Sequence, residues 1–320
     1  MSQFSRAIHI YQRSVEGFVI FYTLHDYLAL YTLVSVTARK YRVRVLGLAI
    51  MYNHIHLLVV ANSRDQIQPF VSEYTKRFAR IYNAEAGIEG HLFHNPFGSA
   101  VKYGDKNIRT AAGYLYNNHT NKKLCNRAED IRWNFLAYAH DTHPFSNLLK
   151  RKEASAALRR ALKIVDIDRS ADNSLGYATL KRIYKGLNAT EKNQVTDYIV
   201  NEYRFVDYEA LEGLYRSYDD MILSFNANTF NEYDIDEEAE ERNGDDRVYN
   251  LLSRHIISSG KIENLKSLLF LPPDDRLRLA VELRAATGIS YKQIGDFLHM
   301  RIHRVSNVVK EYEVLEQFPA

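Results

Sequence analysis

The sequence predicts an α+β fold, an antiparallel sheet packed with helices, followed by an all-α C-terminal region. Two observations carry this. In the first part of the chain, β-branched and aromatic runs and amphipathic stretches follow one another in the order β-β-α-β-β-α-β-α. Helices that fall between groups of strands argue for an antiparallel sheet over a doubly wound parallel one. Beyond residue 145 the strand-like runs stop and helical periodicity takes over.

Taken in order, residues 6–13 and 18–23 read as strands split by Glu16-Gly17. Asp26 caps a helix running to about Tyr41, with Tyr27, Leu30, Tyr31 and Val34 at helical spacing. Residues 42–52 alternate as a strand and 54–61 as the next. A second amphipathic helix spans 65–86, with Ile67, Phe70, Val71, Tyr74, Phe78 and Ile81 on its apolar side. Lys76, Arg77 and Arg80 lie in its C-terminal half, where Arg77 and Arg80 are candidate phosphate contacts. Residues 97–103 form a further strand, and Asp105 opens a helix through Asn118. The stretch 138–147 is a domain exit, dividing the chain into 1–145 and 146–320. In the second part, helices are expected over 146–165, 175–187, 189–203, 208–225, 248–258 and 262–270. Residues 232–246 hold nine acidic residues and one Arg, which marks an exposed acidic loop within 227–247.

Composition excludes several classes. At 46% hydrophobic and 25% charged residues the chain is ordinary for a globular protein. No apolar run approaches the ~20 residues that cross a bilayer, and the N-terminus lacks a signal-peptide plan. Cys125 is the only cysteine, so an intrachain disulfide and a cysteine zinc cluster are both excluded. The expected location is the cytoplasm. The net charge of +3 hides segregation: residues 1–150 carry 18 Lys and Arg against 10 Asp and Glu, residues 151–275 carry 17 against 24, and residues 276–312 carry 7 against 3. A polyanion would meet the two basic ends.

The chemistry concentrates in Met51-Tyr52-Asn53-His54-Ile55-His56-Leu57-Leu58-Val59-Val60. Alternate strand residues share a face, so His54 and His56 project side by side with Ile55 and Leu57 behind them. Two parallel imidazoles make half of a metal site, and burying them unpartnered costs free energy. Further on, Tyr114 and Asn118 stand four apart on one helical face, pointing a phenol and a carboxamide the same way. The amide oxygen of Asn118 can complete a metal site.

Here the chain resembles the single-tyrosine HUH transposases, in particular the REP-associated tyrosine transposases. The family's "M-P-N-H-x-H-L-L" appears as Met51 to Leu58, and its "Y-I-x-x-N-P-V" as Tyr114-Leu115-Tyr116-Asn117-Asn118-His119-Thr120. The aromatic-rich block before the helix resembles Gly90 to Ser99. Two positions depart: Tyr52 and His119 stand where the family has prolines, and without the second proline the helix is free to run past Asn118. The resemblance implies a ferredoxin/RRM-like antiparallel sheet with helices on one face. It also implies a Mg²⁺ or Mn²⁺ ion on His54, His56 and Asn118, with Tyr114 as the nucleophile. Tyr114 would attack phosphorus in single-stranded or hairpin DNA, leaving a 5′-phosphotyrosine and a free 3′-hydroxyl. Relatives act as monomers or homodimers.

At the C-terminus, a helix over 276–287, a Gly288-Ile289 turn, a second helix over 290–298 and a basic helix over 301–315 follow the helix-turn-helix plan. It is similar to the helix-turn-helix of some of those relatives. Arg301, Arg304, Asn307 and Lys310 are its candidate contacts to duplex DNA. Two other readings stand beside the transposase one: a non-catalytic DNA-binding regulator using these helices, and a metallohydrolase. The hydrolase reading lacks the downstream Asp-His pair it needs.

Overall fold

The structure, a computed structural model, describes residues 4–227, 246–260, 262 and 264–301. Four strands form one antiparallel sheet: β1 (Arg6–Arg13), β2 (Arg44–Ile50), β3 (His54–Val60) and β4 (Gly98–Tyr103), in the order β2-β3-β1-β4. Three helices accompany it: α1 (Leu24–Lys40), α2 (Arg64–Ala86) and α3 (Gly104–Asn121).

The sheet separates two apolar layers. Ile8, Ile10, Ile55, Leu57 and Val59 pack with α1 and α2 on one face. Ala7, Leu46, Ala49 and Leu58 pack with Ile108, Ala111, Ala112 and Leu115 of α3 on the other. The expectation of helices on one face therefore describes α1 and α2, while α3 lies across the opposite face. Close approach of α3 rests on Gly47 of β2: a Cβ there would stand 3.1 Å from the Leu115 side chain and from the Tyr116 hydroxyl.

Two expectations need correction. Residues 18–23 form no strand, because Ile20 and Phe21 both direct their N–H groups to the single carbonyl of Tyr52, at 2.8 and 3.0 Å, and so make no ladder. The cap of α1 is Thr23, with Asp26 at the third helical position closing a capping box. Tyr116 hydrogen-bonds the Leu46 carbonyl at 2.9 Å and stacks on Phe225, a packing role.

The second part is helical as expected, with shifted bounds: α4 (Ala156–Ser170), α5 (Tyr177–Tyr184), α6 (Ala189–Glu202), α7 (Tyr208–Glu212), α8 (Tyr218–Ala227), α9 (Asp246–Ser258), α10 (Pro273–Thr287) and α11 (Tyr291–Phe297). Residues 146–155 are irregular, the expected 208–225 helix is broken into α7 and α8, and 265–270 is a 3-10 segment. Of the expected acidic loop, Ala227, Asp246 and Arg247 are helical, and residues 228–245 lie outside the described residues.

Candidate active site

Strand β3 turns His54 and His56 toward α3, and each is 1% exposed. Neighbouring β1 sets Arg13 opposite His54 and Tyr11 opposite His56, and alternation puts His9 on the same face. Helix α3 runs past its expected end at Asn118 to Asn121, and it carries Tyr114 and Asn118 into the same space. The Tyr114 ring lies 5.6 Å from His56 and 5.7 Å from His9, edge-on to both. The imidazoles of His54 and His56 are 5.1 Å apart. Asn118 Nδ2 donates to His56 Nε2 at 3.1 Å. Residues 60 positions apart in sequence thus share one nearly closed cluster, in which Tyr114 is 6% and Asn118 3% exposed.

The hydrogen bonds set the tautomers. Because His56 Nε2 accepts from Asn118, its proton sits on Nδ1, which donates to His9 Nε2 at 3.1 Å. Asn53 Nδ2 donates to the Gly17 carbonyl at 2.9 Å, which aims Asn53 Oδ1 at His54 Nδ1, 2.7 Å away. His54 Nδ1 therefore carries the proton, and both imidazoles turn an Nε2 lone pair into the cluster. A partner on the far nitrogen is what orients metal-binding histidines. His9 and Asn53 are thus positioning residues. Neither was assigned a role from sequence: Asn53 stands inside the quoted motif, whereas His9 shows its place only once β1 is known to pair with β3.

Burial holds both imidazoles neutral. It pushes His54 well below its usual pKa, helped by the neighbouring Lys122, His119 and Arg13. His56 is lowered well below its usual value by burial, then by His54 and His9. His119, at the family's proline position, is pushed down to about 4 by burial and shares a 3.2 Å hydrogen bond with the Ile50 carbonyl.

Two buried atoms in the cluster have no hydrogen-bond partner, His54 Nε2 and Asn118 Oδ1. Two imidazole nitrogens and an amide oxygen can together hold a divalent cation. Among the described residues no three His, Cys, Asp or Glu side chains group as a metal site, so the cluster's third donor would be the amide of Asn118.

The basic candidates are placed differently. Arg77 meets Glu73 at 3.3 Å and Ser174 at 3.3 Å, tying α2 to the helical region, on the sheet face away from the histidines. Arg80 is exposed on the same helix. Arg301 is exposed, with its guanidinium 3.5 Å from Glu16. Arg304, Asn307 and Lys310 lie outside the described residues, together with the third helix of the expected helix-turn-helix. Its first two helices are α10 and α11, the latter opened by a Ser290–Gln293 capping box.

An antiparallel sheet with a His-x-His strand facing a Tyr-x-x-x-Asn helix is the arrangement that the resemblance to HUH transposases implies. Residues 15–118 match the family described as "Transposase IS200 like". The matched segment takes in β2, β3, α2 and the part of α3 that carries Tyr114 and Asn118, about a third of the chain. No curated protein matches the chain. It is similar to a solved structure described as "Structure of the REP associates tyrosine transposase bound to a REP hairpin", at 13% identity and a TM-score of 0.35, over 43% of this chain and 80% of that one.

Proposed function

We propose that this protein is a metal-dependent endonuclease and strand transferase for single-stranded DNA that folds into hairpins, working through a 5′-phosphotyrosine intermediate. The observation that carries the reading is the convergence of Tyr114, His54, His56 and Asn118 in one chain, with the Tyr114 ring 5.6 Å from His56. In this reading Tyr114 is the nucleophile, and its oxygen bonds phosphorus as the 3′-oxygen leaves. The covalent link conserves the phosphodiester for rejoining. His54, His56 and Asn118 would hold a Mg²⁺ or Mn²⁺ ion. Bound there, the ion supplies Lewis-acid polarisation of the scissile phosphate. His9 and Asn53 keep the two imidazoles aimed, and the packed helix keeps Tyr114 beside them. Every residue of the cluster comes from one chain, which supports a site built within a single subunit, whether monomer or homodimer.

Incubating the protein with a labelled, hairpin-bearing single strand and Mn²⁺, then denaturing, should leave DNA covalently attached. Tyr114→Phe should abolish the adduct while leaving DNA binding in place. Failure of every single strand tried, or an adduct that survives in Tyr114→Phe, rejects the reading. Folded α10 and α11 support a second contact, to duplex DNA, through Arg301, Arg304, Asn307 and Lys310. Tight duplex binding without any adduct would favour a DNA-binding regulator instead.

A further inference from the structure

We infer that the α2-facing side of the edge strand β4, together with the groove beside it, is a track for single-stranded nucleic acid that leads toward the tyrosine cluster. Only the strand's destination rests on the function proposed above.

Among the described strands, β4 pairs with β1 alone, so its outer edge is open. Its two faces differ in kind. Toward α3 stand Gly98, Ala100 and the buried Lys102, the cross-strand neighbours of Tyr11, His9 and Ala7. A Cβ at Gly98 would only come into ordinary contact with Tyr11, 3.4 Å from its carbonyl oxygen and 3.5 Å from its ring. The small Gly98 and Ala100 leave the way over the edge to the cluster low. Toward α2, alternation sets Ser99, Val101 and Tyr103 on one side, and Phe97 immediately precedes the strand. Val101 is 40% and Tyr103 58% exposed, which is unusual for large apolar and aromatic side chains on one strand.

Each ring at the ends of this row carries a guanidinium. Arg64 sits 4.4 Å from the Phe97 ring centre and Arg6 sits 5.3 Å from that of Tyr103. Arg64 also donates to the Phe97 carbonyl at 2.9 Å, and Arg6 to the Asn62 carbonyl at 2.7 Å, so backbone carbonyls hold both cations in place. Phe97 continues into a groove of 440 Å³ between α2 and residues 90–97, lined by Arg64, Lys76, His91 and His94 and by no carboxylate. From Phe97 to Tyr103 the strand rises about 20 Å. An exposed ring at Tyr103 and a half-buried one at Phe97, each with a fixed cation beside it, and a groove without an acid match a polymer whose bases stack and whose phosphates need neutralising. An acidic protein segment would use the charge but not the rings.

The test is fluorescence anisotropy with labelled oligothymidylate, which forms no hairpin. Tyr103→Ala should weaken binding about tenfold, the loss expected of one stacking platform. Arg64→Gln and Lys76→Gln should each reduce the slope of log affinity against log salt by about 0.7. Adduct formation on a strand trimmed to the cleavage site should be unchanged in all three. Binding equal to the unmodified protein in all three variants, a preference for duplex competitor, or no binding of nucleic acid at all overturns the track. The two readings separate cleanly. If no strand gives an adduct but Tyr103→Ala still weakens binding, the track stands and the catalytic reading falls. If adducts form but binding is unmoved, the track falls alone.

Discussion

At the scale of single residues, His9 is the most consequential side chain in the cluster besides the four named from sequence. Its bond to His56 Nδ1 leaves the His56 Nε2 lone pair directed at Asn118. Removing such a partner typically costs a metal site 10–100-fold in affinity. His9→Ala should therefore weaken Mn²⁺ binding by about that factor in a calorimetric titration, with the fold intact by circular dichroism. Unchanged affinity would mean that His56 is oriented by something else. Asn53 does the same for His54, and its own amide is fixed by Gly17. The histidine pair is thus held by a second layer whose members come from β1 and from the turn before β3.

At the scale of elements, the two departures from the family's prolines both serve to dock neighbouring segments. A proline has no N–H, yet the backbone N–H of Tyr52 donates to Asp246 at 3.1 Å. The Tyr52 ring meets Tyr249 edge-on at 6.0 Å, and burial pushes its hydroxyl up to about 12. Helix α9 is thereby fastened to the turn that carries the histidines. Tyr52→Pro removes a hydrogen bond to a charged group and an aromatic contact, together worth about 2–4 kcal/mol. Urea unfolding followed by tryptophan fluorescence should register that loss, and a midpoint unchanged from the unmodified protein would show that α9 is held elsewhere. At the other departure, His119 lets α3 continue to Asn121 and anchors it to the end of β2 through Ile50. The helix still delivers Asn118 to His56, so the missing proline does not turn the amide away.

At the scale of the whole molecule, the helical region is packed into the same core as the sheet. Helix α1 is buried continuously from Asp26 to Ala38, a burial on all sides that one sheet cannot provide. Its outer side is bonded to the second part: Tyr31 to the Val200 carbonyl at 2.9 Å and Ser35 to the Tyr203 carbonyl at 2.5 Å. At its start, Asp26 pairs with Lys266 at 2.5 Å, with side chains 0% and 6% exposed, and accepts from Tyr177 at 2.7 Å. The ammonium lies 4.0 Å from the ring centres of both Tyr82 and Tyr177. Burial lowers the Lys266 pKa, and Asp26 opposes that shift. Lys266→Met leaves a buried carboxylate without its counter-ion, a loss of about 3–5 kcal/mol. Denaturant titration of the variant should show it, and adding Asp26→Asn should recover part of the stability. A single variant as stable as the unmodified protein would contradict this account of the junction. By the same reasoning, the change of architecture near residue 145 marks two kinds of structure sharing one core.

How much of this was legible beforehand differs by level. Strand and helix periodicity placed β1, β3, α2 and α3 within a few residues, because alternation and helical spacing are local properties. Residues 18–23 failed because their apolar, aromatic composition meets the burial requirement of a strand, while their hydrogen bonds go to Tyr52, a partner far along the chain. The His-x-His pair and the Tyr-x-x-x-Asn pair were each readable from spacing within one element.

The sequence by itself determined which elements form, and which side chains within each element point together. The tertiary structure decided what lies across from what: β1 beside β3, which makes His9 a partner of His56; α3 over the histidine face; and Arg77 turned to Glu73 and Ser174. The physical reason is that periodicity is written along the chain, whereas strand register and helix docking are settled by contacts between residues far apart in it.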